Sequence, residues 1–389
     1  APAATVRILA LCGGNRHDAG METPFPRRLM DHKPVRKQVD LRLVPFGFGA
    51  LILVGTALLL LPWAHRDGCS LGFLDALFLS TSATCVTGLT TVNVGEMFSP
   101  FGQGVLLALI QAGGLGIFTG SLLLVLASGN RLSLVDEQTI HATVGRLRQA
   151  RPMDVFIYAC VFVLMLELAG AVVLFTLMTY AGTSAEYLQT LWEATFHSVS
   201  AFCNAGISIY PEGMARWRGY PAILSTVALL VIAGGIGLMT LINLRYYYFW
   251  RRDPRRRGHL TLQTRLSVAS AALLLALGML AAWAFETGHT LAGANWSEQV
   301  SWSFFHSAMS RTAGYNVVDV GAMNPPTLLT TLGLMFIGGA PGSMAGGIKT
   351  LTFAVLLLTA WAALKRRDEV QIWKRRLPPK TSFIAVMLT

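Results

Sequence analysis

Three times along the chain, a lone glycine interrupts a short polar stretch that lies between long apolar segments. The stretches are Thr84-Cys85-Val86-Thr87-Gly88-Leu89-Thr90, Phe202-Cys203-Asn204-Ala205-Gly206-Ile207-Ser208 and Ser310-Arg311-Thr312-Ala313-Gly314-Tyr315-Asn316. Several of the flanking apolar runs reach the ~20 residues that a bilayer core requires. At that depth, non-helical backbone is tolerated only where it is buried in protein or lines a watery cavity. Hinges of this kind turned toward one shared axis would present backbone carbonyls to a bare cation, which is how an ion filter is built.

Composition agrees with a membrane chain. Only 13% of the 389 residues are charged and 53% are hydrophobic, whereas a soluble domain averages about 25% charged. The formal charge of +11 does not indicate nucleic acid, because of where it lies. Basic runs fall at 27–42, 131–151, 245–265 and 365–380, on one side of successive apolar hairpins. The intervening loops carry Glu96, Glu186, Glu286 and Asp319 with few basic residues. This positive-inside pattern places the N-terminus and the basic loops in the cytoplasm of a multi-pass protein in the cell inner (plasma) membrane. The five cysteines have no CxxC spacing, so neither a closed disulfide framework nor a zinc site is expected.

The order of segments predicts membrane–pore–membrane units. After a cytoplasmic segment at 1–42, units are expected at 43–130, 153–250 and 262–365, the last with a broken second helix at 338–350. Short pore helices are expected at Phe73–Thr84, Leu191–Phe202 and Ser301–Ser310. Asp75, Glu193 and Ser301 would cap their starts, where an acid or hydroxyl suits free N–H groups and the positive dipole end. Registering the units on their glycines also superposes Ser80, Ser198 and His306. The second crossing helices share Ala112-Gly113-Gly114-Leu115-Gly116 and Ala233-Gly234-Gly235-Ile236-Gly237. Small residues of this kind let helices approach closely. In the third unit the pattern swells to Gly338-Gly339-Ala340-Pro341-Gly342-Ser343-Met344-Ala345-Gly346-Gly347-Ile348-Lys349-Thr350, which cannot continue a regular helix.

At these residues the chain resembles the Trk/Ktr/HKT superfamily of potassium transporters, in particular its bacterial Ktr/Trk type. The resemblance covers roughly residues 40–389. It implies an all-α polytopic pore-forming subunit with four such units around a pseudo-fourfold axis. It also implies a potassium filter formed by Val86, Thr87, Gly88, Asn204, Ala205, Gly206, Thr312, Ala313 and Gly314. Glycine at all three central positions favours potassium over sodium by the same resemblance. The segment carrying Gly338, Gly339, Gly342, Gly346, Gly347 and Lys349 is similar to the family's intramembrane gate loop. The implied partners are a second copy of the chain, a cytoplasmic nucleotide-binding regulatory ring and membrane lipids. Potassium would be the transported ion, with no organic cofactor and no nucleic acid. Only three complete units are present. A basic cytoplasmic linker at 366–381 leads into 382–389, which reads as the start of a truncated fourth unit, so the chain is expected to be incomplete.

Several residues have two readings. Lys349 either snorkels or pairs to hold its loop, or forms an electrostatic barrier in the ion path. Glu167, in mid-helix, is read as a structural hydrogen bond to a neighbouring unit against a functional intramembrane acid. Arg311 would brace the third hinge from outside, while Cys85 and Cys203 would be small packing residues. His197 and His306 read as core or interface histidines. The basic loop 251–257 either sets topology and meets lipid headgroups or docks an acidic regulatory subunit. A membrane enzyme using Glu167, His197 and His306 would need a convergent cluster, and no helical spacing supplies one. Two further functions fit the same segments: a sodium- or proton-coupled potassium symporter of this fold, and a non-conducting membrane scaffold fragment.

Overall fold

The computed structural model describes residues 43–127, 152–182, 186–250, 260–311, 313–365, 371–372 and 375–376. The segment 1–42, the loop 251–257, the run 382–389, most of the 366–381 linker and Thr312 lie outside the described residues. The helices are α1 (Leu43–Leu59), α2 (Phe73–Thr84), α3 (Pro100–Ala127), α4 (Pro152–Tyr180), α5 (Tyr187–Phe202) and α6 (Pro221–Ile236). They continue with α7 (Leu238–Trp250), α8 (Leu262–Glu286), α9 (Trp296–Met309), α10 (Pro325–Phe336) and α11 (Thr350–Leu364). Beyond them, β1 (Gln371–Ile372) pairs antiparallel with β2 (Arg375–Arg376) in a two-residue pairing, and the rest of the described secondary structure is helical, as expected.

Helix starts follow local chemistry. Pro221 and Pro325 occupy first-turn positions, where a missing N–H costs nothing. Thr261 caps α8 by accepting from the Thr264 amide at 3.2 Å. Of the described helices, α4 (over Ala159–Tyr180) and α8 are long and apolar enough to cross a membrane, and α6 with α7 as far as Arg245 passes the same test only as a pair bent by 100°. Exposed Leu164, Leu168 and Val172 on α4, and Leu273, Leu277 and Leu280 on α8, give these helices apolar outer faces.

Each long–short pair is joined in the same way. The Ser80 hydroxyl on α2 donates to the Ile52 carbonyl of α1 at 2.8 Å. Ser198 on α5 donates to the Glu167 carbonyl of α4 at 2.6 Å, and Ser307 on α9 to the Leu275 carbonyl of α8 at 2.8 Å. Three residues beyond each acceptor stands a glycine, Gly55, Gly170 or Gly278, where a Cβ would collide with the serine hydroxyl. The serine of the third pair is therefore Ser307, not the His306 position expected from registering on the glycines. The hinge that follows is one residue shorter: Ala313 N bonds back to Met309, whereas Thr87 N and Ala205 N bond back one residue further, to Ser82 and Ser200.

Among the described residues, the two larger clusters of buried apolar side chains both reach the hinges. One includes Leu79, Phe98, Ile110, Phe196 and Phe202; the other includes Leu174, Trp217, Val227, Phe305 and Tyr315.

Candidate functional site

The C-termini of the short helices lead directly into the glycine hinges. Helix α2 ends with Val86 N bonded to Ala83 O at 3.2 Å and Thr87 N to Ser82 O at 2.8 Å. Helix α5 ends identically, with Asn204 N to Ala201 O at 3.0 Å and Ala205 N to Ser200 O at 2.8 Å. This is the bond pattern that closes a helix on a left-handed residue, a place usually taken by glycine. Here Val86 (φ +55°) and Asn204 (φ +59°) occupy it. A β-branched residue in that region is an outlier and stores roughly 1–3 kcal/mol of strain. Two residues on, Gly88 (φ +86°) and Gly206 (φ +66°) are left-handed again, as is Gly314 (φ +77°). The residues between them, Thr87 and Ala205, are not at positive φ, so the sign of φ alternates along the first two hinges.

The hinges meet backbone to backbone. A Cβ on Gly88 would overlap the Ala205 carbonyl oxygen, and a Cβ on Gly206 would overlap the Ala313 carbonyl oxygen. Glycine is thus required twice over, by φ and by proximity. Side chains brace the same layer. Tyr315 OH donates to Ile207 O at 3.3 Å, tying the third hinge to the second, and Ser200 Oγ donates to the same carbonyl at 2.8 Å. With its amide turned to suit its neighbours, Asn204 Nδ2 donates to Phe202 O (3.2 Å) and Val231 O (3.1 Å).

The expected caps are corrected in part. Asp75 stands in the first turn of α2, where it suits the dipole, but Gly72 is the N-cap and no side-chain cap bond forms. Glu193 is not at a helix start. The α5 helix begins at Tyr187, and Glu193 lies buried in its middle, accepting from Gln189 Nε2 and Tyr210 OH, both at 2.9 Å. Burial, with the carboxylate beside it, pushes the Tyr210 phenol up from its ordinary value. Ser301 is likewise interior to α9, which starts at Trp296, and the first-turn acid there is Glu298. Both helices begin one to two turns earlier than the apolar pattern suggests.

Below the hinges, helix α10 stops at Phe336 and α11 restarts at Thr350. The intervening backbone folds on itself through Gly338 N to Ile348 O (3.0 Å), Gly339 N to Gly346 O (3.2 Å) and Thr350 N to Gly339 O (3.0 Å). It also docks on the end of α6, with Ala340 N donating to Gly235 O at 2.9 Å and Met344 N to Gly234 O at 3.4 Å. Gly342 (φ +69°) and Gly347 (φ +72°) supply left-handed corners. Lys349 Nζ donates to Ala345 O at 2.7 Å within the segment. Buried Arg311 donates to Gly338 O at 3.3 Å, so its side chain reaches from the third hinge to the glycine-rich segment.

The histidines have separate partners. His197 meets Glu193 O (2.7 Å) and Ser208 Oγ (3.1 Å), and His306 meets Thr331 Oγ1 (2.9 Å). Glu167 accepts from Gln111 Nε2 of α3 at 3.0 Å, a bond between neighbouring long helices. The three do not converge, and among the described residues no group of His, Cys, Asp and Glu is placed to hold a metal ion. Sequence reasoning misses the left-handed Val86 and Asn204, the Tyr315 brace and the second helix break at Gly237. Of the four, Asn204 alone has a local signal, since asparagine, after glycine, is the residue most used to end a helix in the left-handed region.

The family model described as "TrkH: Cation transport protein" matches residues 34–383. This chain belongs to the TrkH cation transport family. The potassium/sodium uptake protein NtpJ of Enterococcus hirae is 33% identical over 347 residues, covering 89% of this chain and 75% of that protein. The Ktr system potassium uptake protein B of Bacillus subtilis is 33% identical over 339 residues, covering 86% and 73%. The fold matches the crystal structure of the potassium transporter TrkH from Vibrio parahaemolyticus, with TM-score 0.67, 17% identity, and 92% of this chain and 69% of that one covered. The chain is therefore a multi-pass membrane subunit of the Trk/Ktr kind, and a transporter rather than an enzyme.

Proposed function

We propose that the chain is the pore-forming subunit of a potassium uptake system in the cytoplasmic membrane, with the glycine hinges as sides of one selectivity filter. The single observation that carries this reading is the mutual contact of the hinges: Gly88 backs on the Ala205 carbonyl and Gly206 on the Ala313 carbonyl. Carbonyls of residues 86–87, 204–205 and 312–313 would replace the hydration shell of the ion. A four-sided ring of which these hinges form three sides is the arrangement proposed. Short-helix C-termini aimed at the layer add a negative dipole end that favours a cation. Relatives named as potassium uptake proteins support the choice of ion.

The segment from Gly338 to Thr350 is the proposed gate, supported by its non-helical course and its few hydrogen bonds to α6. Potassium would enter driven by the membrane potential, worth about 2.3 kcal/mol per charge per 100 mV. The cytoplasmic N-terminus, a homodimeric assembly and a cytoplasmic nucleotide-binding regulatory ring belong to the same proposal. The test is potassium uptake in the presence of competing sodium, measured for the unaltered protein and for Gly88→Ser. The substitution is expected to let sodium compete. Unchanged selection at normal abundance would sink the filter assignment.

A further inference from the structure

We infer that Glu167 is a positioning residue for the second hinge, and so sets how well that side of the filter discriminates between cations. The inference rests on the filter reading above. Otherwise matching places in the three units differ at this residue. Ile52, Glu167 and Leu275 each offer their carbonyl to a serine of the adjacent short helix, at 2.8, 2.6 and 2.8 Å. Packing at that place is thus satisfied by an aliphatic side chain twice, and by a carboxylate once.

A buried carboxyl group is costly unless its oxygens are hydrogen-bonded. At Glu167, which is 3% exposed, both oxygens are engaged. Oε2 accepts from Gln111 Nε2 at 3.0 Å. Oε1 lies 3.6 Å from Cys203 Sγ, and the same sulfur lies 3.7 Å from Gln111 Oε1. The three side chains close a triangle that links α3, α4 and the last residue before the left-handed Asn204. Cys203 is the C-cap of α5, so its side chain holds the residue that leads into the second hinge. Cys85, which follows α2 at the corresponding place, is exposed. The second hinge is held from behind by a polar tether that the first hinge does not have.

A filter discriminates ions only when its groups are held within a fraction of an ångström, and such holding comes from the residues behind them. Loss of the tether should therefore change ion preference rather than only the amount of folded protein. The full-length transporter carrying Glu167→Leu, Glu167→Gln, Gln111→Leu or Cys203→Ala would be assayed for potassium uptake with and without sodium, alongside membrane abundance. Glu167→Leu, which installs the side chain found in the third unit, is expected to raise KM for potassium about tenfold and to admit sodium competition. Glu167→Gln retains a donor and an acceptor for Gln111 and is expected to stay within about twofold of the unaltered KM. A purely structural role predicts reduced abundance and maximal rate with KM and sodium rejection intact, and that result would overturn the inference. Should Glu167→Leu fail to reach the membrane, Gln111→Leu and Cys203→Ala decide, since each removes two sides of the triangle and leaves the third. Unaltered ion preference in both overturns it. Gly88→Ser run in parallel separates the two claims: if it alters selection and the tether variants do not, this inference fails and the filter reading stands. If Gly88→Ser has no effect, the filter reading itself fails.

Discussion

Ala112-Gly113-Gly114-Leu115-Gly116 and Ala233-Gly234-Gly235-Ile236-Gly237 differ by one methyl position, yet the first continues through the middle of α3 and the second ends α6 in a 100° bend. Their shared part has one purpose. Gly113 faces the Thr84 carbonyl and Gly234 the Phe202 carbonyl, so in both places a long helix lies against the last turn of a short one with no room for a Cβ. Their difference comes from elsewhere in the chain. The carbonyls of Gly234 and Gly235 accept from Met344 and Ala340, and Leu238 N donates to Gly342 O at 3.3 Å. Gly237, at φ +91°, then turns the chain. Gly116 instead faces the ring of Phe48 and stays helical. Backbone groups leave a helix where another segment satisfies them, so the fate of the motif is set by the glycine-rich segment after α10.

The strongest test of this pairing falls on its shared part. Gly113→Val and Gly234→Val should each lower the stability of the purified protein by about 3 kcal/mol, the upper end for overpacking, as read by thermal denaturation in lipid nanodiscs. A loss in only one of them would mean that the two sites are not equivalent. Next comes the point of divergence. Gly237→Ala should cost about 1–3 kcal/mol, because φ +91° with ψ +136° is a conformation kept to glycine and a Cβ there would crowd the Pro341 carbonyl. Gly116→Ala, with a propensity gain set against displacement of Phe48, should stay within about 0.5 kcal/mol. Equal losses would remove Gly237 as the corner. A smaller effect is expected from Ala340→Pro, which deletes the donor to Gly235 O and should cost about 1 kcal/mol. Least of all for ion selection, Gln103→Leu removes two bonds away from the hinges, Trp192 Nε1 to Gln103 Oε1 at 2.7 Å and Gln103 Nε2 to Phe98 O at 3.2 Å. It should cost about 1 kcal/mol and leave potassium-over-sodium selection unchanged in uptake assays, in contrast to the tether at Gln111.

The same contrast explains what can be read from the letters. Gly88, Gly206 and Gly314 announce themselves because each interrupts apolar sequence, and all three are left-handed. The break before Thr350 is legible because glycines and a proline crowd into it. The break at Gly237 is not, since its motif matches a continuous helix and the deciding donors lie about a hundred residues away, a tertiary override of local propensity. Val86 carries no signature of its positive φ, whereas asparagine at 204 is a residue type that tolerates one. Glu193 and Ser301 mislead because the apolar pattern begins later than the helices do, at Tyr187 and Trp296. The one-residue shortening before Gly314 is hidden by registering on the glycine, and only the Ser307 bond to Leu275 exposes it. Glu167 is legible as a residue with an interhelical partner, but Gln111 and Cys203 are not legible as that partner.

Whether the hinges surround an ion decides the rest. The most direct measurement is the anomalous scattering of thallium, a potassium-sized cation, in crystals of the full-length transporter. A peak ringed by the backbone carbonyls of Val86, Thr87, Asn204, Ala205 and Ala313 is the predicted result. Thallium bound elsewhere along the transport path, with none between the three glycine hinges, would contradict it.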